Sequence, residues 1–357
     1  MYRILLQLPF FIILFLISVA YFIFYYNVAQ LGYENSFDIL AKIVNLHDHN
    51  VYVEKIQSIS SGGVKYEANN DFGIALIYLI TYVYTGFNNI VDIYLFSFLF
   101  NFNLLFLAFI FYNKICNIEN LDNITCLFFF TNISLVYFSQ LINKDMVTYL
   151  ILLLALYSGV KKNYLFLIIL LPVAFLIRQQ LALCIVTYIF LMLCRNTKFW
   201  LVVSYTLSSL VAGYISVHMN IISDESLGGG ISSFIVKFNR DYYVGYLFFN
   251  PIRLLQYFYS IPQSFFNIYV DNNIDMAALF RFMMLPFVFL SMSFIFRSIV
   301  QFRVTRLTSV KPFFILTYSF FICWLMNPTI NGRYIILILP MMVLGYCVQR
   351  KYIVRRE

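Results

Sequence analysis

Two carboxylates four residues apart, Glu34 and Asp38, stand in the first polar stretch of an otherwise very apolar chain. On a helix, residues i and i+4 share a face, so the two would project together just beyond the first long apolar run. A carboxylate in a partly desolvated place can take a proton from an attacking hydroxyl. The same letters also fit the solvated first turn of a juxtamembrane helix. Cationic counterparts follow at Lys144, Arg178, Arg240, Arg253, Arg281 and Arg333. A guanidinium can bond two oxygens of one phosphate through its planar fork. Carboxylate base plus phosphate-binding cations is a toolkit for group transfer from a phosphorylated donor, with the cations stabilising the departing charge.

Each cation has a setting. Lys144 and Asp145 lie in SQLINKDMVT, a tight break between apolar runs. They read either as a snorkelling anchor with its counter-ion or as a phosphate-binding lysine positioned by its neighbour. Only the triplet Arg178-Gln179-Gln180 separates two apolar runs, which holds the guanidinium at the interface or just below it. Arg281 falls three residues inside another run. Ionisable groups at membrane depth are costly, and each is a functional candidate by default. Arg240 and Arg253 are interleaved with aromatics in a long polar segment, as a groove for sugar and pyrophosphate would be, or as an aromatic belt with ordinary ion pairs. Arg333 opens the last apolar run after a turn marked by Pro328 and Gly332.

The elements that must hold these groups are membrane helices. Hydrophobic residues make up 62% of the 357 positions and charged ones 11%, which excludes an ordinary soluble domain. Apolar runs at 4–26, 91–112, 122–140, 146–160, 164–177, 180–194, 199–220, 278–299, 311–327 and 333–349 predict about ten transmembrane helices, an all-α fold in one membrane domain over residues 1–357. A shorter stretch, 73–86, reads as an interfacial or re-entrant helix. Lysine and arginine resist translocation. With ten crossings both termini lie in the cytoplasm, and that side gathers fourteen of the 24 Lys and Arg but three of the 16 acids. Eleven crossings would force one basic terminus outside. Two large outer loops result, 27–90 and 221–277, on the same face. The first apolar run is longer than a signal-peptide core and reads as an uncleaved span.

Other chemistries find little support. The six cysteines lie in spans or on the inner side, with no metal-ligand spacing and no disulfide framework. Three histidines, His47, His49 and His218, make a histidine-ligated metal an unfavoured expectation, and no cofactor motif is present: no Walker loop and no GxGxxG. Asp71, before the 73–86 stretch, reads first as a helix cap. The net charge of +8 belongs to loops beside anionic lipid rather than to nucleic-acid binding.

The very hydrophobic, Phe- and Tyr-rich chain, its two large outer loops and the INKDM element before an apolar span resemble bacterial O-antigen or capsule repeat-unit polymerases of the Wzy type. A looser likeness is to GT-C glycosyltransferases, through Asp38 after the first span, the 73–86 helix, and Arg333-Tyr334 with Pro340. Asp71-Phe72-Gly73 stands where that group usually has Pro-Gly. The first resemblance implies polymerisation of undecaprenyl-diphosphate-linked oligosaccharide at the periplasmic face of the inner membrane. It implies Asp38 or Glu34 as base, the cations as pyrophosphate ligands, and a chain-length regulator among the partners. A single-sugar transferase and a polysaccharide flippase are the alternatives. A flippase predicts internal repeats, and no convincing one is found.

Overall fold

The structure is a computed structural model that describes residues 2–30, 44, 46–62, 70–85, 90–218, 231–270, 273–300, 309–327 and 332–354. Apolar runs become helices because a segment in lipid has to satisfy its backbone N–H and C=O groups internally. The helices, in order, are α1 (Tyr2–Gln30), α2 (Leu46–Ser60), α3 (Asn70–Thr85), α4 (Ile90–Ile118), α5 (Asn123–Leu127), α6 (Ser134–Phe138) and α7 (Lys144–Lys161). Then come α8 (Tyr164–Ile177), α9 (Gln179–Leu193), α10 (Thr197–His218), α11 (Ile231–Tyr242) and α12 (Gly245–Gln263). A short antiparallel pair, Tyr269–Val270 with Asn273–Ile274, leads to α13 (Met276–Phe282), α14 (Leu285–Val300), α15 (Lys311–Trp324) and α16 (Arg333–Val354).

Among the described residues four helices are long and apolar enough to cross a membrane: Leu6–Asn27, Ile93–Ile118, Thr197–His218 and Arg333–Tyr352. A fifth appears if α13 and α14, bent by 50°, count as one broken span. Exposed apolar side chains such as Leu16, Ile169, Val202, Phe289 and Phe296 cover the outside of this bundle, a surface suited to lipid rather than water. The chain is therefore a membrane-embedded helical protein. Length and composition alone qualify four or five crossings, short of the ten expected.

One expected span is not a helix at all along its length. Residues 122–140 form two five-residue helices joined by turns. The reason is polar competition for the backbone: Thr131 Oγ1 donates to the Phe128 carbonyl at 2.7 Å, and Asn132 Nδ2 donates across to Ile336 O of α16 at 3.3 Å. Irregular backbone is tolerated at depth when it is enclosed by protein, and Phe129, Leu135 and Val136 are buried. The 278–299 run likewise divides at Met283-Met284. The 73–86 stretch is a helix, α3, and it lies against α2, α4 and α8.

The centre of the fold is α7. Residues Asp145 to Leu153 are buried without a break, so this helix is enclosed on all sides. It packs against α4, α8, α15 and α16. A small satellite core around Ala212, Ile235 and Tyr246 joins α10, α11 and α12. The two ends of α7 differ. One carries Lys144 and Asp145; the other ends at Lys161, with Lys162 in the left-handed region at φ 57°.

Candidate functional site

The turn that starts α7 is heavily tied. Asn143 caps the helix by accepting from the backbone N–H groups of Asp145 and Met146 at 3.0 and 3.1 Å. Its amide donates to Leu141 O at 2.7 Å and to Phe138 O. From α4, Asn101 donates to Ser139 O at 3.1 Å and Leu141 O at 2.8 Å. Tyr78 of α3 donates to Asn101 and contacts the Asn143 carbonyl. From α2, His49 Nδ1 accepts the Ile142 N–H at 3.2 Å. Burial pushes the His49 pKa down to about 3, so the ring stays neutral and keeps its acceptor nitrogen. Three other helices, α2, α3 and α4, thus fix where Asp145 stands.

Asp145 is the node of the site. Arg178 Nη2 donates to its Oδ1 at 2.5 Å, and both side chains are 3% exposed. Arg178 is the extended residue between α8 and α9, the tip of a helical hairpin. Nε and Nη1 of Arg178 are also buried and find no hydrogen-bond acceptor among the described residues. On the other carboxylate oxygen, Arg333 Nε approaches to 3.9 Å, while Arg333 Nη1 donates to Asp48 Oδ2 at 3.2 Å. The Tyr334 ring receives both guanidiniums, with Arg178 Cζ 5.0 Å and Arg333 Cζ 5.5 Å from its centre. Beside them Lys144 pairs with Asp71 of α3 at 3.7 Å and stands 6.0 Å over the Tyr52 ring. A tight cleft of about 20 Å³, the space of one water, opens between Asp48, Tyr137, Asn143, Asp145 and Arg333.

Of the residues expected from sequence, Lys144, Arg178 and Arg333 are brought together here. Arg281 is adjacent: it lies within electrostatic range of Arg333, Asp275 and Tyr137. Arg253 is buried, and its guanidinium is committed to Asn250 Oδ1 at 2.8 Å, Leu325 O at 2.6 Å and Asn327 O. It ties down the chain as it leaves α15. Arg240 is half-buried near the end of α11, a helix that packs with α10 and α12. Glu34 and Asp38 lie outside the described residues.

Asp145 ranked in the sequence only as a partner for its neighbour Lys144, and the pairing is different. Consecutive residues on a helix diverge by about 100°, so Lys144 turns to Asp71 and Asp145 to Arg178. Asp71 lies inside the first turn of α3, where its carboxylate meets the positive helix end and pairs with Lys144. Asp48, His49 and Tyr334 carry more of the site than their letters suggested. The HDH triplet was the one available signal for the first two.

Chemically, three cations and three carboxylates converge at one end of an apolar bundle. The deepest pair is fixed, whereas Lys144, Arg333, Asp48 and Asp71 keep side-chain exposures of 19%, 18%, 29% and 42%. Such a rim can meet a charged headgroup while the buried pair holds its shape. Among the described residues no group of three His, Cys, Asp or Glu is disposed to hold a metal ion. Comparisons with protein-family models, with curated proteins and with solved structures found no match.

Proposed function

We propose that this chain polymerises oligosaccharide repeat units carried on undecaprenyl diphosphate, at the outer face of a bacterial cytoplasmic membrane, by inverting and metal-independent glycosyl transfer. The observation that carries the reading is the convergence of Arg178, Arg333 and Lys144 with Asp145, Asp48 and Asp71 at one end of a lipid-facing bundle. The Arg178–Asp145 pair is deeply buried, and such a pair costs desolvation and is a weak stabiliser, so a charged substrate is a reason to keep it, with four partly exposed charges, at this end of the bundle.

On this reading the chain crosses ten times: α1, α4, the broken α5–α6 segment, α7, α8, α9, α10, the bent α13–α14 pair, α15 and α16. Helix α3 stays at the outer interface. The charge asymmetry of the loops supports this arrangement, with the Asp145 end outward. Helices α8 and α15, each of 14 residues, rise only about 21 Å, less than the ~30 Å hydrocarbon core. Arg178 at the end of α8 then sits below the outer interface, at the depth of a lipid phosphate that has sunk slightly into the protein.

In the reaction, a hydroxyl at the nonreducing end of a new unit attacks the anomeric carbon of the growing chain. The bond from that carbon to the pyrophosphate oxygen breaks, and a carboxylate takes the hydroxyl proton. Asp38 and Glu34 are the candidates for this base, and Asp48 joins them as a partly exposed carboxylate beside the cations. Arg333 and Lys144 receive the pyrophosphate charge, backed by Arg178 and Arg281. Partners are the lipid-linked substrate, membrane lipid and a regulator of chain length.

Gel profiles of surface polysaccharide test this in a deletion strain complemented with wild type or with Asp48→Asn. Loss of the long ladder, leaving one repeat on its carrier, supports polymerisation. A ladder of normal length with altered mobility or antigenicity identifies a single-sugar transferase instead. No surface repeat at all, with lipid-linked units retained inside, identifies a flippase.

A further inference from the structure

A cavity at the other end of the bundle plays no part in the chemistry above. It measures about 670 Å³ and opens between the α4–α5 turn, α14 and the end of α16. That volume falls within the range of pockets that hold ligands. Arg350 and Lys351 line one wall and Asp122 the floor, while Ile124, Phe128 and Leu290 form an apolar side. Ile124 is 70% exposed, so this side opens towards lipid. Lys351 Nζ donates to Glu119 O at 2.6 Å and Asn120 O at 2.8 Å, which uses two of its three N–H bonds. Arg297, at the end of α14, stacks over Tyr346 of the same wall with its Cζ 5.6 Å from the ring centre. Two cations, Arg350 and Lys351, therefore line the cavity beside one carboxylate, and a third, Arg297, stands on the Tyr346 ring of its wall.

We infer that this cavity is a binding site for an anionic phospholipid, whose phosphate lies against Arg350 and Lys351, with Arg297 adding positive charge from across Tyr346, and whose acyl chain runs along Phe128 and Leu290. Charge complementarity selects the headgroup, since basic pockets between membrane helices on the cytoplasmic side suit anionic lipid. The apolar wall selects a lipid over a soluble phosphate. Arg333 at the start of α16 and Lys351 near its end are separated by about 27 Å of helix. The lipid site is thus remote from the Asp145 cluster, and the inference stands apart from the proposed reaction.

The test uses the full chain purified in neutral detergent and native mass spectrometry of bound lipid. Phosphatidylglycerol, phosphatidylcholine with the same acyl chains, and inorganic phosphate are each added in turn. The expected result is retention of phosphatidylglycerol alone. Arg350→Gln should lower its affinity about fivefold and the Arg297→Gln/Arg350→Gln pair further, since each basic residue near such a surface contributes on the order of 1 kcal/mol. Arg195→Gln, an exposed arginine on another turn, should leave binding unchanged. Equal retention of phosphatidylcholine, equal binding of inorganic phosphate, or the same loss from Arg195→Gln would overturn the inference. Arg350 is exposed, so its replacement leaves the fold in place; a monodisperse, folded Arg350→Gln protein with undiminished phosphatidylglycerol binding would also refute it.

Discussion

Arg178 and Asp145 are 33 residues apart in the chain and meet at 2.5 Å, each with a side chain 3% exposed. The bond joins the hairpin tip between α8 and α9 to the first turn of α7. Removing one partner from a buried pair strands the other charge, at a cost of about 3–5 kcal/mol. Arg178→Ala should therefore lower the amount of folded protein in the membrane as well as its activity. The double replacement Asp145→Leu/Arg178→Met removes both charges and should recover abundance by immunoblot while activity stays absent. If the double variant restores activity too, the pair is structural only.

Asp48 offers a cleaner dissection, because its side chain is 29% exposed and its partner Arg333 keeps Asp145 nearby. Asp48→Asn should leave abundance within twofold of wild type. Glycosyl transfer should fall at least about 100-fold, the low end of a positioned general base's contribution. Glu34→Gln and Asp38→Asn, measured in parallel, identify which carboxylate takes the proton. Full activity in all three variants would remove carboxylate base catalysis from the account.

The position of Asp145 was legible in part. INKDM announced a built turn, and Asn143 does cap α7. What the letters could not carry was direction: Lys144 and Asp145 look like a pair in sequence and diverge on the helix. Helices α1, α4 and α8 to α10 follow their apolar runs closely because uninterrupted apolar residues have one outcome in lipid. The 122–140 run is interrupted by Asn123, Thr131, Asn132 and Ser134 and broke, and the part played by Asn132 depends on a carbonyl in α16, 204 residues away. Arg240 and Arg253 looked alike in sequence. Only the fold distinguishes a buried guanidinium bonded to carbonyl oxygens, Arg253, from a half-buried one in the last turn of α11, Arg240.

His49 gives the site a pH dependence of stability. Its folded pKa, about 3, lies below the ordinary value of 6.5 because burial disfavours the charged ring. The unfolded chain then binds more protons below pH 6.5, so the stability from the neutral ring is complete above that pH and declines as pH falls towards 3. Detergent-solubilised wild type should melt at a progressively lower temperature from pH 7 to pH 4.5. His49→Gln, which does not titrate, should show a flatter profile over the same window. Identical slopes for the two proteins would contradict the buried neutral ring.

Gly73 sets how closely α3 approaches the site. A Cβ at this position would come within 1.6 Å of the Leu176 carbonyl oxygen of α8, a backbone atom that cannot swing away. Gly73→Ala should push α3 off the hairpin and pull Asp71 away from Lys144, lowering abundance and activity together. Wild-type levels of both would mean that α3 is free to sit further out.

The most direct measurement is reconstitution. The purified chain is placed in liposomes with undecaprenyl-diphosphate-linked repeat units as sole substrate, and the lipid products are read by mass spectrometry. The account predicts carriers bearing two and more repeats, with free undecaprenyl diphosphate released for each linkage formed, and neither product from Asp48→Asn. Repeat units that remain single while the wild-type protein is folded would contradict it.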